Sequence, residues 1–295
     1  MAGMAQAPIT WLVVNPASGS NDDVAVAVIT DALADAGHPP QRVIAVPEAP
    51  LPERSDLEGA GVDLLVIFTG DGTVNRAACA LYGWGGALLV LPGGTQNLLA
   101  RSLHGDATAR EIVEQLGRGR LRAVRRPFLR CSAGDALVEI VAGPGATWSD
   151  VRESLREFDV AEIAATTREA IEKSAGGATV VVVEPSVGKL EGYPAVRLYP
   201  AEGRCLAIAG YGADGILDYA RHGLALLQRD FREGPHEELG AYPEAVCRSD
   251  EPIELMLDGE RATGRTEERF SVGECDLTFL AAEPADGLAA EAADD

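Results

Sequence analysis

A chain of 295 residues is long enough for about two domains at ~100–200 residues each, and 46% hydrophobic with 24% charged residues is ordinary folded-protein composition. Its 25 Lys+Arg against 46 Asp+Glu leave a formal charge of −21. That field opposes broad nucleic-acid binding and opposes adsorption to anionic lipid by net charge alone. Five scattered cysteines (Cys79, Cys131, Cys205, Cys247, Cys275) contain no C-x-x-C pair, so neither a disulfide framework nor a structural zinc site is implied and a reducing cytoplasm fits best. The four histidines form no zinc-protease pair, and a G-K-[ST] phosphate loop is missing. The N-terminal MAGMAQAPITWLVVNP lacks a basic n-region, which makes it a poor signal peptide, and no apolar run reaches the ~18 residues needed to span a bilayer.

From residue 10 to about 122, short β-branched or aliphatic runs alternate with amphipathic Ala-rich segments. This is the pattern of a parallel sheet flanked by helices. Strands are predicted at 10–14, 42–46, 63–68 and 87–91, and helices at 22–36, 73–81 and 107–116. The run LLVIF reads as a strand covered on both faces. After Val124 the periodicity shortens to strand-like runs at 136–141, 179–184, 195–199, 204–209, 253–257 and 277–281, with helical segments at 150–174 and 219–231. Most of the acidic excess lies here, with 17 basic and 33 acidic residues from Val124 onward against 8 and 13 before it. The expectation is an α/β fold in two domains: an N-terminal parallel-sheet α/β domain over residues 1–123, then a mainly antiparallel domain over 124–283. Residues 284–295, rich in Ala, Asp and Glu, are expected to form a disordered tail.

Three glycine-bearing turns follow predicted strands directly: NPASGS, TGDGTVN and PGGTQN, starting at Asn15, Thr69 and Pro92. In open parallel sheets ligands sit beyond the carboxyl ends of the strands, where glycine admits a phosphate to backbone amides. Each turn alone is explained equally well as a tight turn with a helix cap. Together, with Asn15, Thr73, Asn75, Thr95 and Asn97 adding side-chain donors, they favour a nucleotide-phosphate site.

The order N-P-x-S-G, G-D-G-T-x-N and P-x-G-T-x-N, followed by Ala100-Arg101, resembles the diacylglycerol kinase catalytic-domain family, which includes bacterial lipid kinases and sphingosine kinases and is related to NAD kinases. The resemblance covers the first ~100 residues well and the second half by layout. It implies that residues 1–123 form the nucleotide-binding domain and 124–283 a β-sandwich-like acceptor domain, with ATP and Mg²⁺ as cofactors and transfer of the γ-phosphoryl group to a hydroxyl of a lipid such as diacylglycerol or a sphingoid base. By the same resemblance Asn15, Pro16, Ala17, Ser18 and Gly19 contact ATP. Gly70, Gly72, Thr73, Val74 and Asn75 cradle its phosphates, and Gly94, Thr95 and Asn97 complete the site. Asp71 organises the metal, which suits a carboxylate among phosphate oxygens. Glu260, in the turn Asp258-Gly259-Glu260, is the candidate base toward the acceptor hydroxyl. On its residues alone, that turn is also the commonest kind of hairpin. Asp214, in Gly212-Ala213-Asp214-Gly215, is a weaker metal ligand.

The chain departs from the family pattern at Ser20, where a basic residue is usual, at Leu98, and at Phe128, where a V-D-x-G opening is common. A second reading therefore stands beside the kinase: a nucleotide-binding member with little or no turnover, serving regulation. A third is a kinase acting on NAD or another small alcohol. The arginines at 118, 120, 122, 125, 126 and 130 form either a phosphate- or headgroup-attracting cluster, allowing peripheral membrane contact, or the solvated face of an edge strand.

Overall fold

The computed structural model describes residues 8–16, 22–144, 178–212 and 236–282. The predicted helical segments at 150–174 and 219–231, the tail from 284, and site candidates Ala17, Ser18, Gly19 and Asp214 lie outside the described residues. The chain divides into two compact units, one of residues 1–126 with 274–295 and one of residues 127–273.

In chain order the first unit contains β1 (Thr10–Val14), α1 (Asp23–Asp35), β2 (Pro40–Ala45), α2 (Arg54–Ala60), β3 (Leu64–Thr69), α3 (Asp71–Ala80), β4 (Ala87–Pro92), α4 (Leu98–His104), α5 (Ala109–Gly117) and β5 (Leu121–Val124). The second contains β6 (Pro127–Cys131), β7 (Gly134–Ala136), β8 (Ile140–Ala142), β9 (Val181–Glu184), β10 (Ala195–Ala201), β11 (Cys205–Tyr211), β12 (Glu237–Tyr242), β13 (Glu244–Arg248), β14 (Glu254–Leu257), β15 (Glu260–Thr263) and β16 (Glu267–Glu274). A last strand, β17 (Thr278–Ala282), belongs to the first unit.

The first sheet has the order β2-β1-β3-β4-β17-β5. Every residue of β1 and β3 is buried, which explains their unbroken apolar runs: helices cover both faces. On one face Leu12, Val14, Leu64, Val66, Phe68, Leu89 and Leu91 pack with Ile29 and Leu33 of α1 and Ile112 and Val113 of α5. The alternate residues Val13, Leu65, Ile67, Leu88 and Val90 are buried on the other. Helix starts carry the expected caps: Asp22 accepts from the Ala25 amide, and Thr108 with Glu111 forms a capping box at α5.

The strand at 277–281, assigned from sequence to the second domain, instead pairs parallel to β4 and antiparallel to β5. The apolar run TFLAA fits either sheet. Its place is set by the edge of β4, which would otherwise expose unpaired backbone groups.

The second unit has two antiparallel sheets, β12-β11-β10-β8-β14-β15 and β7-β6-β16-β13-β9. One apolar cluster draws on both, with Ile140, Val196, Leu198, Ile208 and Leu255 from the first and Leu129, Val182, Cys247 and Phe270 from the second. The inner faces of the two sheets thus share one core, as in a sandwich. The run predicted as one strand at 136–141 is broken into β7 and β8 at Leu137–Glu139, whose amides bond to a side chain rather than to a strand. Among the described residues no helix is long and apolar enough to cross a membrane.

Candidate functional site

The site begins with strand register. Val14 pairs with Phe68, Phe68 with Leu91 and Thr69 with Pro92, all parallel, so β1, β3 and β4 end level with one another. The three glycine-bearing turns therefore leave the sheet at one rim, where Asn15 is half-buried and Pro16 exposed.

The β3 and β4 turns touch. A Cβ built on Gly94 would lie 2.6 Å from the Gly70 Cα, a separation no side chain tolerates, so glycine at 94 is what lets the two backbones meet. Asp71 ties them further. It opens α3, and its Oδ1 accepts the Leu98 amide at 2.6 Å, giving the first residue of α4 an acceptor from 27 residues away. Asn97 closes the β4 turn on itself. Its Oδ1 accepts from the Gly94 amide (2.7 Å), its Nδ2 donates to the Gly94 carbonyl (3.0 Å), and its backbone is left-handed at φ 53°. The Asn97 carboxamide thus shapes the loop.

At α3, Gly70 caps the helix in an extended conformation with no side-chain cap. The Thr73 and Val74 amides bond back to the Gly70 carbonyl at 3.2 and 3.1 Å. Val74, expected among the cradle residues, is buried at 3% exposure, which leaves only its backbone to face a ligand. Gly72 and Thr73 are buried at the helix start, and Thr95 is exposed at the rim. The amides at the positive end of a ten-residue helix, beside glycines that admit close approach, suit an anion. Thr69, which replaces a more usual glycine, is accommodated because its hydroxyl turns back to the Gly70 carbonyl at 3.2 Å.

Among the described residues no three His, Cys, Asp or Glu side chains converge as a metal site. A hard cation held mainly by phosphate oxygens and water needs only one or two carboxylates, and Asp71 supplies one at this rim.

In the second unit, Glu260 is exposed at the start of β15 and pairs with Leu257 across a two-residue turn. Asp258 and Gly259 have φ of 47° and 90°, the signs of a type I′ hairpin. Sequence reasoning missed the role of Asp258. Its side chain is buried and accepts the amides of Leu137, Val138 and Glu139, a bonding pattern that no local spacing announces. Phe128, where a carboxylate would be usual, is buried, with the Arg130 guanidinium 4.8 Å from its ring centroid. The arginines of this segment have separate partners. Arg118 pairs with Glu114, Arg130 pairs with Asp135, and Arg126 donates to the Ser102 carbonyl at the end of α4. β5, which carries Arg122, lies at the edge of its sheet.

Comparison with known proteins agrees with this fold. Three solved structures from Bacillus anthracis str. Sterne, each of a protein assigned as a diacylglycerol kinase, share the fold. Two superpose with a TM-score of 0.60 at 17% and 18% identity, covering 95% and 97% of this chain and 99% of theirs. The third has a TM-score of 0.58 at 17% identity, covering 95% and 99%. No curated protein matches the chain by sequence. The family model for the diacylglycerol kinase catalytic domain matches residues 10–126, the span that bears all three turns. Over that segment the chain is similar to the diacylglycerol kinase catalytic-domain family.

Proposed function

We propose that this protein is an ATP-dependent phosphotransferase of the lipid-kinase kind, moving the γ-phosphoryl group to a hydroxyl of a lipid such as diacylglycerol or a sphingoid base. The observation that carries the reading is the fused rim: Gly94 against Gly70, with Asp71 bridging to Leu98. Phosphoryl transfer asks a protein mainly for positioning and charge stabilisation, and backbone donors on a rigid rim supply both. Asn15, the Gly70–Asn75 turn and Thr95 hold the triphosphate in this reading. Asp71, with Asp214 as a second carboxylate, would hold Mg²⁺, which neutralises charge on the phosphate oxygens. The acceptor oxygen bonds to the γ-phosphorus while the bridging bond to the β-phosphate breaks, ADP leaves with that electron pair, and Glu260 takes the hydroxyl proton.

The test is purified protein with Mg-ATP and a panel of diacylglycerol, sphingoid, polyprenol and NAD acceptors, with Asp71→Ala as control. Transfer to a lipid by the wild type and loss in the variant is expected; equal turnover in both sinks the assignment. The reading as a nucleotide-binding regulator with little turnover is favoured by one observation, the apolar packing of Phe128 where a carboxylate would extend the metal network. Calorimetric ATP binding with no transfer to any acceptor would select it.

A further inference from the structure

The exposed Glu260 sits on a turn whose neighbouring residue is anchored far more firmly than a hairpin requires. An Asp-Gly turn of this type needs only left-handed backbone at two positions, and Asp tolerates that while pointing to solvent. Here Asp258 is 3% exposed. Its Oδ2 accepts the Leu137 amide at 2.6 Å, and its Oδ1 accepts the amides of Val138 and Glu139 at 2.9 and 3.0 Å. The Asp258 amide in turn donates to the Glu139 carbonyl at 3.1 Å. Three consecutive amides curled around one oxygen pair form an anion nest of the kind that elsewhere holds a phosphate, and the chain fills it with its own carboxylate. The nest is itself fixed. The Glu139 side chain is 1% exposed and its Oε2 accepts from Arg197 Nε at 2.7 Å, while β8, which follows it, is a central strand between β10 and β14.

We infer that Asp258 is a positioning residue: its carboxylate locks the turn to the Leu137–Glu139 segment and so fixes where Glu260 stands. The inference rests on Glu260 being the base toward the acceptor hydroxyl, but the lock is a property of the backbone and can be measured apart from transfer. Charge and hydrogen bonding, not chain conformation, hold the turn. Asparagine adopts the left-handed backbone as readily as aspartate, yet its NH₂ would face the Leu137 amide, donor against donor.

The experiment compares the full chain with Asp258→Asn and Asp258→Gly, both compatible with φ 47°. It reads ¹⁵N relaxation at Leu137, Val138, Gly259 and Glu260, kcat and KM for ATP, and thermal unfolding to confirm that each variant folds. The expected result is an order parameter at Glu260 falling from about 0.85 toward 0.6. With it, kcat should drop on the order of 10- to 100-fold, the scale of an ångström of misplacement, while KM for ATP is unchanged. Unchanged order at Glu260 in both variants overturns the lock. Lost order with unchanged kcat overturns the positioning role and leaves a structural staple. A wild type that transfers to no acceptor removes the reading of Glu260 as base, and the relaxation data then decide the lock alone.

Discussion

Replacing Gly94 by alanine tests the contact on which the rim depends. The added carbon would lie 2.6 Å from the Gly70 Cα, against about 3.5–4.0 Å for ordinary carbon contact, so the two turns must part by about 1 Å. Neither atom can rotate away, because both are fixed to the backbone. Gly94 is not among the residues with left-handed φ, so the penalty is steric and not conformational. Overpacking of this kind costs about 1–3 kcal/mol, and the lower entropy of the unfolded alanine chain returns about 0.4–1 kcal/mol. A net loss of about 1–2 kcal/mol follows, read in denaturant unfolding as a lower midpoint with an unchanged slope. Gly59 supplies the control: it lies inside α2, a Cβ there would meet nothing within 4 Å, and alanine should stabilise by about 0.5–1 kcal/mol. Mg-ATP titration by calorimetry should show weakened binding in Gly94→Ala and none of that effect in Gly59→Ala. If Gly94→Ala matches wild type in both stability and nucleotide affinity, the turns do not depend on this contact and the rim is not the rigid cradle described above.

Three further outcomes are expected. Asp71→Ala leaves the Leu98 amide without its acceptor, at about 1–3 kcal/mol, whereas Asp71→Asn can keep that bond while losing the charge; chemical unfolding should rank alanine as the weaker fold, and only a charge-dependent site would leave both without transfer. His104 is buried with neither ring nitrogen in a well-formed hydrogen bond, and burial pushes its pKa down to about 4, with the Val90 backbone pulling weakly the other way. The folded state therefore binds fewer protons than the unfolded one, and stability should fall as pH drops from about 6.5 through 4, by roughly 3 kcal/mol in all; a pH series in which His104→Leu shows the same slope as wild type would refute this. Arg197→Met removes the guanidinium from the buried Glu139 carboxylate and should destabilise the fold by up to about 3 kcal/mol, part of it recovered when Glu139→Gln is added, as a double-mutant cycle would report.

Local chemistry made much of this protein legible. Apolar runs covered on both faces announced β1, β3 and β4, and β1 begins and ends where its sequence says. Three turns placed after three strands identified the rim, because parallel strands bring their carboxyl ends together whatever their order. α4 escaped notice because seven residues give too little periodicity to read, and α2 for the same reason. β17 was misplaced because five apolar residues suit any sheet.

What the chain's order of residues determined was therefore the strands and longer helices of the first unit and the resemblance of that segment to a kinase family. Tertiary structure alone decided that Gly94 rests on Gly70, that Asp71 serves Leu98 27 residues on, and that Asp258 reaches back 121 residues to Leu137. Propensity and periodicity act over a few neighbouring residues. A carboxylate between strands is satisfied by whichever amides the fold brings to it, and that partner has no local signature.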